Sequence, residues 1–154
     1  MKKFIITFIL SLFPLFCFAQ IEAPLQFSIE TDKKIYKAGE NIKLKVGIEN
    51  KAGSDIILIW CRNKPMISLE EDAISVELCK HSNPSIELLS VTKNIPVIKT
   101  INFDLSGFKR GLYNLKLKYN LPSLNVNFSL QPNQIIFKDS AFSNTLEIEL
   151  AQSD

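Results

Sequence analysis

Ile42, Leu44, Val46 and Ile48 sit at every second position and alternate with Lys43, Lys45, Gly47 and Glu49. No other feature constrains the fold as much. Successive side chains of an extended strand point to opposite faces, so this segment is apolar on one side and solvated on the other. The same period recurs along most of the chain. Leu25, Phe27 and Ile29 alternate with Gln26, Ser28 and Glu30. Ile74, Val76 and Leu78 lead into Cys79, and Tyr113, Leu115, Leu117 and Tyr119 alternate with Asn114, Lys116 and Lys118. Val126, Phe128 and Leu130 form a further segment, and Leu146, Ile148 and Leu150 alternate with Thr145, Glu147 and Glu149. Asp55 to Trp60 differs, because Ile-Ile-Leu-Ile-Trp has no polar alternation. A strand covered on both faces reads this way, which places it centrally.

Turn signals separate these segments: Lys37-Ala38-Gly39-Glu40, Asn50 to Ser54, Ser82-Asn83-Pro84, Leu105 to Gly111 and Gln131-Pro132-Asn133. Ile86 to Val91 reads as a shorter strand. Val97, Ile101 and Phe103 share a face that Lys99 interrupts. The polar stretch from Arg62 to Asp72 contains Pro65 and reads as a loop. No sustained apolar stripe at helical spacing occurs. The nearest candidate is a short helical turn over Met66 to Ala73, where Ser68-Leu69-Glu70-Glu71 suits a helix start. Short strands punctuated by turns at this spacing predict an all-β sandwich or barrel.

The first nineteen residues have another character. Lys2 and Lys3 precede an apolar run from Phe4 to Phe18 that contains Pro14 and ends at Ala19. This is the layout of a secretory signal peptide, cut between Ala19 and Gln20. The run is shorter than the roughly 20 residues that a spanning helix needs. Phe16 before Cys17 argues against a lipidated cysteine, since a small residue normally precedes one. Residues 1–19 are therefore read as a leader and 20–154 as one domain, exported to the periplasm or beyond, with no membrane span after cleavage.

Removing the leader changes the charge and the cysteine count. The 18 basic residues fall to 16 without Lys2 and Lys3, against 16 acidic ones. A near-neutral chain without a basic cluster lacks the electrostatic footprint of nucleic-acid binding. Of three cysteines, Cys61 and Cys79 remain. In an oxidising compartment such a pair is most simply a disulfide, worth roughly 3 kcal/mol by loop-closure entropy. Two buried free thiols are the alternative.

Phe27 to Asn50 (F-S-I-E-T-D-K-K-I-Y-K-A-G-E-N-I-K-L-K-V-G-I-E-N) resembles the opening of immunoglobulin-like domains in secreted bacterial proteins: a strand, a Y-x-x-G-E turn, and an alternating strand ending in Asn. Arg110 to Leu115 resembles their G-x-Y-x-L strand entry, and Phe142 to Leu146 the S-N start of their last strand. Within that grammar the chain loosely resembles the bacterial intracellular proteinase inhibitor domain. The resemblance implies an immunoglobulin-like antiparallel β-sandwich of seven to nine strands. It also implies a tyrosine corner at Tyr113, whose hydroxyl would bond back to nearby backbone. Antibody domains place their cysteines on the second and sixth strands, so a Cys61–Cys79 bond is expected to be a local staple and not a bridge between sheets.

Catalytic and metal chemistry find little support. Cys79, His81 and Cys61 supply three zinc ligands at most, a disulfide removes two, and no fourth stands out. One histidine without a nucleophile elbow is thin support for acyl transfer. Glu70, Glu71 and Asp72 are adjacent and lack the regular ligand spacing of a calcium loop. No catalytic, metal or cofactor residue is assigned. Phe108, Phe137 and Phe142 lie in or near loops, where aromatics either anchor partners or tuck back over the core. The expected function is a non-catalytic binding module at the cell envelope, taking a protein, peptide or glycan through the loops Arg62 to Asp72 and Leu105 to Arg110. The alternative is a proteinase inhibitor acting through an exposed loop.

Overall fold

The computed structural model describes residues 23–71, 73–80, 85–121 and 129–151. The leader, the lipidation candidate Cys17, Asp72, the turn with His81, and the segment with Val126 and Phe128 lie outside them. The described residues form eleven strands and no helix: β1 (Leu25–Thr31), β2 (Ile35–Lys37), β3 (Asn41–Asn50), β4 (Asp55–Cys61), β5 (Met66–Glu70), β6 (Ala73–Leu78), β7 (Ile86–Val91), β8 (Val97–Asp104), β9 (Gly111–Tyr119), β10 (Gln134–Ile136) and β11 (Ala141–Ala151). The all-β expectation holds. The short helical turn over Met66 to Ala73 does not form. Glu70 pairs directly with Ala73 across a tight turn, so β5 and β6 make a hairpin, with Glu71 in the left-handed region at φ 55°.

Two sheets enclose the core. The long one runs β5-β6-β9-β11-β1-β3-β8, with β2 also paired to β11, and the small one runs β10-β4-β7. β4 is thus central, as its unbroken apolar run implies, and Ile56 to Cys61 are all buried. An immunoglobulin sandwich is built from antiparallel sheets. Here the sheets are mixed: four of nine strand pairings are parallel, including β6 with β9 and β1 with β11. The alternation that identifies a strand carries no information about its direction, and so the antiparallel expectation fails. The strand count rises above nine because β2 and β10, three residues each, are too short to show a period.

Local chemistry explains the motifs. In the Y-x-x-G-E turn, Tyr36 is buried and its hydroxyl donates to Asp32 at 2.5 Å. Gly39 takes φ +79°, open to glycine at little cost. Glu40 accepts from the Lys37 amide at 2.9 Å and pairs with Lys33. Asn50 ends β3 fully buried because its amide is satisfied: it donates to the Ser54 and Val91 carbonyls and accepts from Ala52 N–H. In the S-N motif, the register of β11 slips between Phe142 and Thr145. The Asn144 amide there replaces a backbone partner, accepting from Ile29 N–H at 2.7 Å, while Ser143 Oγ accepts from Leu117 N–H at 2.9 Å.

The core joins both sheets. At one end Phe27 stacks on Tyr119 with ring centres 5.6 Å apart, and Phe137 leans on both. Tyr119 donates to the Ile59 carbonyl at 3.1 Å, and burial pushes its phenol well above the ordinary value. Cys61 and Cys79 are bonded, with Cα atoms 5.3 Å apart. Because β4 and β6 belong to different sheets, this bond ties one sheet to the other and is not a local staple. Alternation also misses β6. Ser75 and Glu77 face away from the apolar row yet are 0 % and 4 % exposed. Glu77 accepts from Lys80 at 2.9 Å. Burial opposes its charge, but Lys80 and Lys118 outweigh that and hold the carboxyl below its usual range.

Candidate functional site

β8 lies at one end of the long sheet and β5 at the other. Among the described residues β8 pairs only with β3, and β5 only with β6. The sheet curls so that these two edges line one groove. At one end of it, a cavity of about 420 Å³ is walled by Lys64, Pro65 and Ile67 on one side and by Asn102, Phe103 and Asp104 on the other. A neighbouring cavity of about 380 Å³ continues along β8 past Lys99 to Ile101, with Trp60, Cys61 and Arg62 opposite. Lys64, Pro65 and Asn102 border both, so the two are one trough beside the edge of β8.

The floor is apolar and the rim is charged. Trp60, Ile101 and Phe103 are buried. Lys99 points to the same side of β8 as Ile101 and Phe103. Its ammonium donates to Glu87 Oε1 at 2.9 Å, and Arg62 Nε donates to Glu87 Oε2 at 3.3 Å. One carboxylate therefore serves two cations. The Lys99 hydrogen bond, with Arg62 adding to it, holds Glu87 below the usual carboxylate range. At the far end Asp104 is held low by its bonds from Ser106, with Lys64 contributing. Among the described residues, Arg62, Lys64 and Lys99 line the trough with Glu87 and Asp104.

The loop over this trough is shorter than the sequence implies. Residues 66–70 of the expected Arg62 to Asp72 loop are strand β5 and Glu71 belongs to the hairpin turn after it, so Arg62 to Pro65 alone border the trough as loop. Those four residues are held at their base. The disulfide fixes Cys61, Arg62 N–H donates to the Ser85 carbonyl at 2.8 Å, and Asn63 accepts from Ser85 N–H at 2.5 Å. The other expected loop, Leu105 to Arg110, begins at the end of the trough. The Asp104 carboxylate accepts from the Ser106 N–H at 3.0 Å, Gly107 takes φ +96°, and Phe108 folds back edge-on to Tyr113 at 6.3 Å. The Tyr113 hydroxyl donates to the Lys109 carbonyl at 2.9 Å. Of the three loop aromatics, Phe137 is buried and Phe108 half-buried, whereas Phe142 is 61 % exposed on β11.

Among the described residues the candidate metal and catalytic side chains do not converge. Cys61 and Cys79 are consumed by their bond, and His81 lies outside the described residues. Glu70 pairs with Lys116 at 3.2 Å. Among the described residues no three His, Cys, Asp or Glu side chains come close enough to hold a metal ion, and no helix is long and apolar enough to cross a membrane. A second hollow of about 550 Å³ lies at the Lys33 to Glu40 turn. Apart from Ala151 its walls come from that turn, and Asp32, Lys33, Tyr36 and Glu40 already satisfy one another.

The trough was almost invisible in sequence. One signal pointed to it: Lys99 interrupting an apolar face, which on an inward-facing position demands a partner. Comparison with protein-family models, curated proteins and solved structures finds no match to this chain.

Proposed function

We propose that this protein is a non-catalytic interaction module, exported from the cytoplasm, that holds a partner polypeptide in the trough between Arg62–Pro65 and β8. The observation that carries this reading is the trough itself. It is an apolar floor with a charged rim, beside an edge strand and under a loop anchored at its base. Binding sites are typically concave and apolar with a few placed polar groups, and rigid scaffolds commonly present function on loops. Export is supported by the Cys61–Cys79 bond, since disulfides persist in oxidising compartments, and by the leader-like start of the chain. A kinship with immunoglobulin-like domains draws support from the Tyr113 to Lys109 hydrogen bond, although the parallel pairing of β6 with β9 departs from that pattern.

The test is a matched capture. Wild-type protein and the triple variant Arg62→Ala/Lys64→Ala/Pro65→Ala are immobilised and exposed to the envelope fraction of the source cells. Captured proteins are then purified and titrated against both. A partner retained by the wild type and lost by the variant is the expected result. Equal binding to both would sink the reading. A second reading, a proteinase inhibitor, is favoured by the fixed base of the same loop. Incubation with a panel of secreted proteases separates the two, because only an inhibitor slows peptide hydrolysis at stoichiometric ratios.

A further inference from the structure

We infer that the partner enters as an added β-strand along the open edge of β8, and that it carries an acidic side chain read by Arg62 and Lys99. This deepens the proposed function and rests on it. In an antiparallel ladder every second residue turns its N–H and C=O away from its neighbour. β8 is eight residues long and pairs on one side only among the described residues, so its other side presents a row of such groups. Edge strands of this length are normally covered or blunted. Here the trough runs beside the edge from Lys99 to Asp104. An extended segment of six residues spans about 20 Å and sits about 4.8 Å from its neighbour, so one strand matches that run. It would lie in the seam where the edges β5 and β8 of the same curled sheet line one cavity, with main-chain bonds giving affinity and alternate side chains meeting the walls.

The charge pattern sets the chemistry of the occupant. Glu87 is shared by Arg62 and Lys99, and Asp104 is the other carboxylate beside Lys64. Among the described residues two cations, Arg62 and Lys99, share the one carboxylate of Glu87 above an apolar floor, so the lining fits an extended peptide with an apolar residue toward Trp60 and a carboxylate toward Arg62 and Lys99. Lys99 also works as a selector. An inward-pointing lysine disfavours a purely apolar strand, including the apolar edge of a second copy.

The experiment selects random decapeptides by display on the immobilised full chain. It then measures synthetic versions by the fluorescence of Trp60, the protein's only tryptophan and part of the trough wall. Three results are expected. Selected peptides carry Asp or Glu within an alternating sequence. Replacing that residue by Lys weakens binding roughly tenfold, the size of one charge-assisted contact. N-methylation of alternate backbone amides in one of the two possible phases abolishes binding, while the other phase is tolerated. Peptides that bind, compete at Arg62→Glu and yet tolerate N-methylation in both phases would overturn strand addition but leave the interaction module intact. Binding indifferent to the acidic residue would overturn the charge reading. Failure to select any peptide sensitive to Arg62→Glu would remove both. Sedimentation equilibrium adds a last check: a dimer dissolved by Lys99→Glu would assign the edge to a second copy and overturn the proposal.

Discussion

Two regions of this protein hold a lysine–glutamate pair beside a buried aromatic, yet they are built in opposite ways. In the Lys33 to Glu40 turn the side-chain bonds run between residues only a few positions apart. Tyr36 bonds Asp32, and Glu40 bonds Lys33 and the Lys37 amide. In the trough, Arg62, Glu87 and Lys99 come from three separate segments, beside an edge strand that leaves hydrogen-bonding groups unpaired among the described residues. The difference is one of range. The cluster in the turn is built by local chain geometry and stabilises that turn, whereas the cluster in the trough is assembled only by the fold, beside an edge that is open among the described residues.

The largest expected effect comes from unfastening the trough. Replacing Cys61 and Cys79 together by Ser should cost about 3 kcal/mol in urea unfolding. It should also lower hydrogen-exchange protection around Arg62 to Pro65 while leaving the Lys37 and Glu40 amides protected. Equal loosening of both regions would erase the contrast between them. Gly39→Ala should cost about 1 kcal/mol, because φ +79° suits glycine, with peptide binding unchanged. Tyr36→Phe should lower Tm by about 3 °C by removing the donor to Asp32, again without touching the trough.

Ser75→Ala should raise stability by up to about 1 kcal/mol, since that hydroxyl is buried and meets no partner among the described residues. No gain would mean that the site is satisfied after all. The smallest effect is in pH. Glu87 is held below its ordinary value of 4.5 by Lys99. Its stabilising contribution is thus complete above that value and is lost as pH falls through the lower folded one. Between neutral pH and about pH 3 the wild type should lose more stability than Glu87→Gln, measured by thermal melts. Parallel curves would show that the Arg62–Glu87–Lys99 bridge contributes nothing.

The strands were largely legible in the residues, and the reason is the pleat. Leu25 to Ile29, Ile42 to Ile48 and Leu115 to Tyr119 alternate because one face of each meets the core, and each is a strand. The hairpin β5–β6 was misread because Ser68-Leu69-Glu70-Glu71 satisfies a helix start locally, and only the ladder from Met66–Glu77 to Glu70–Ala73 overrides it. The burial of Glu77 is not legible in sequence, because its neighbours there say nothing of Ser68 and Lys80 converging on it. Of the two loops expected to bind, one shrank to four residues and became a trough wall. The other is folded onto Tyr113.

Residue order alone decided that this chain is extended, where it turns and which side of most strands is dry, because pleat and turn chemistry act over a few residues. It could not decide which strands are neighbours, whether they run parallel, that the disulfide crosses between sheets, or that β8 has an open edge among the described residues. Those depend on pairings between segments tens of residues apart. A period of two is the same for either direction and any neighbour, and only the packed sheets choose among them.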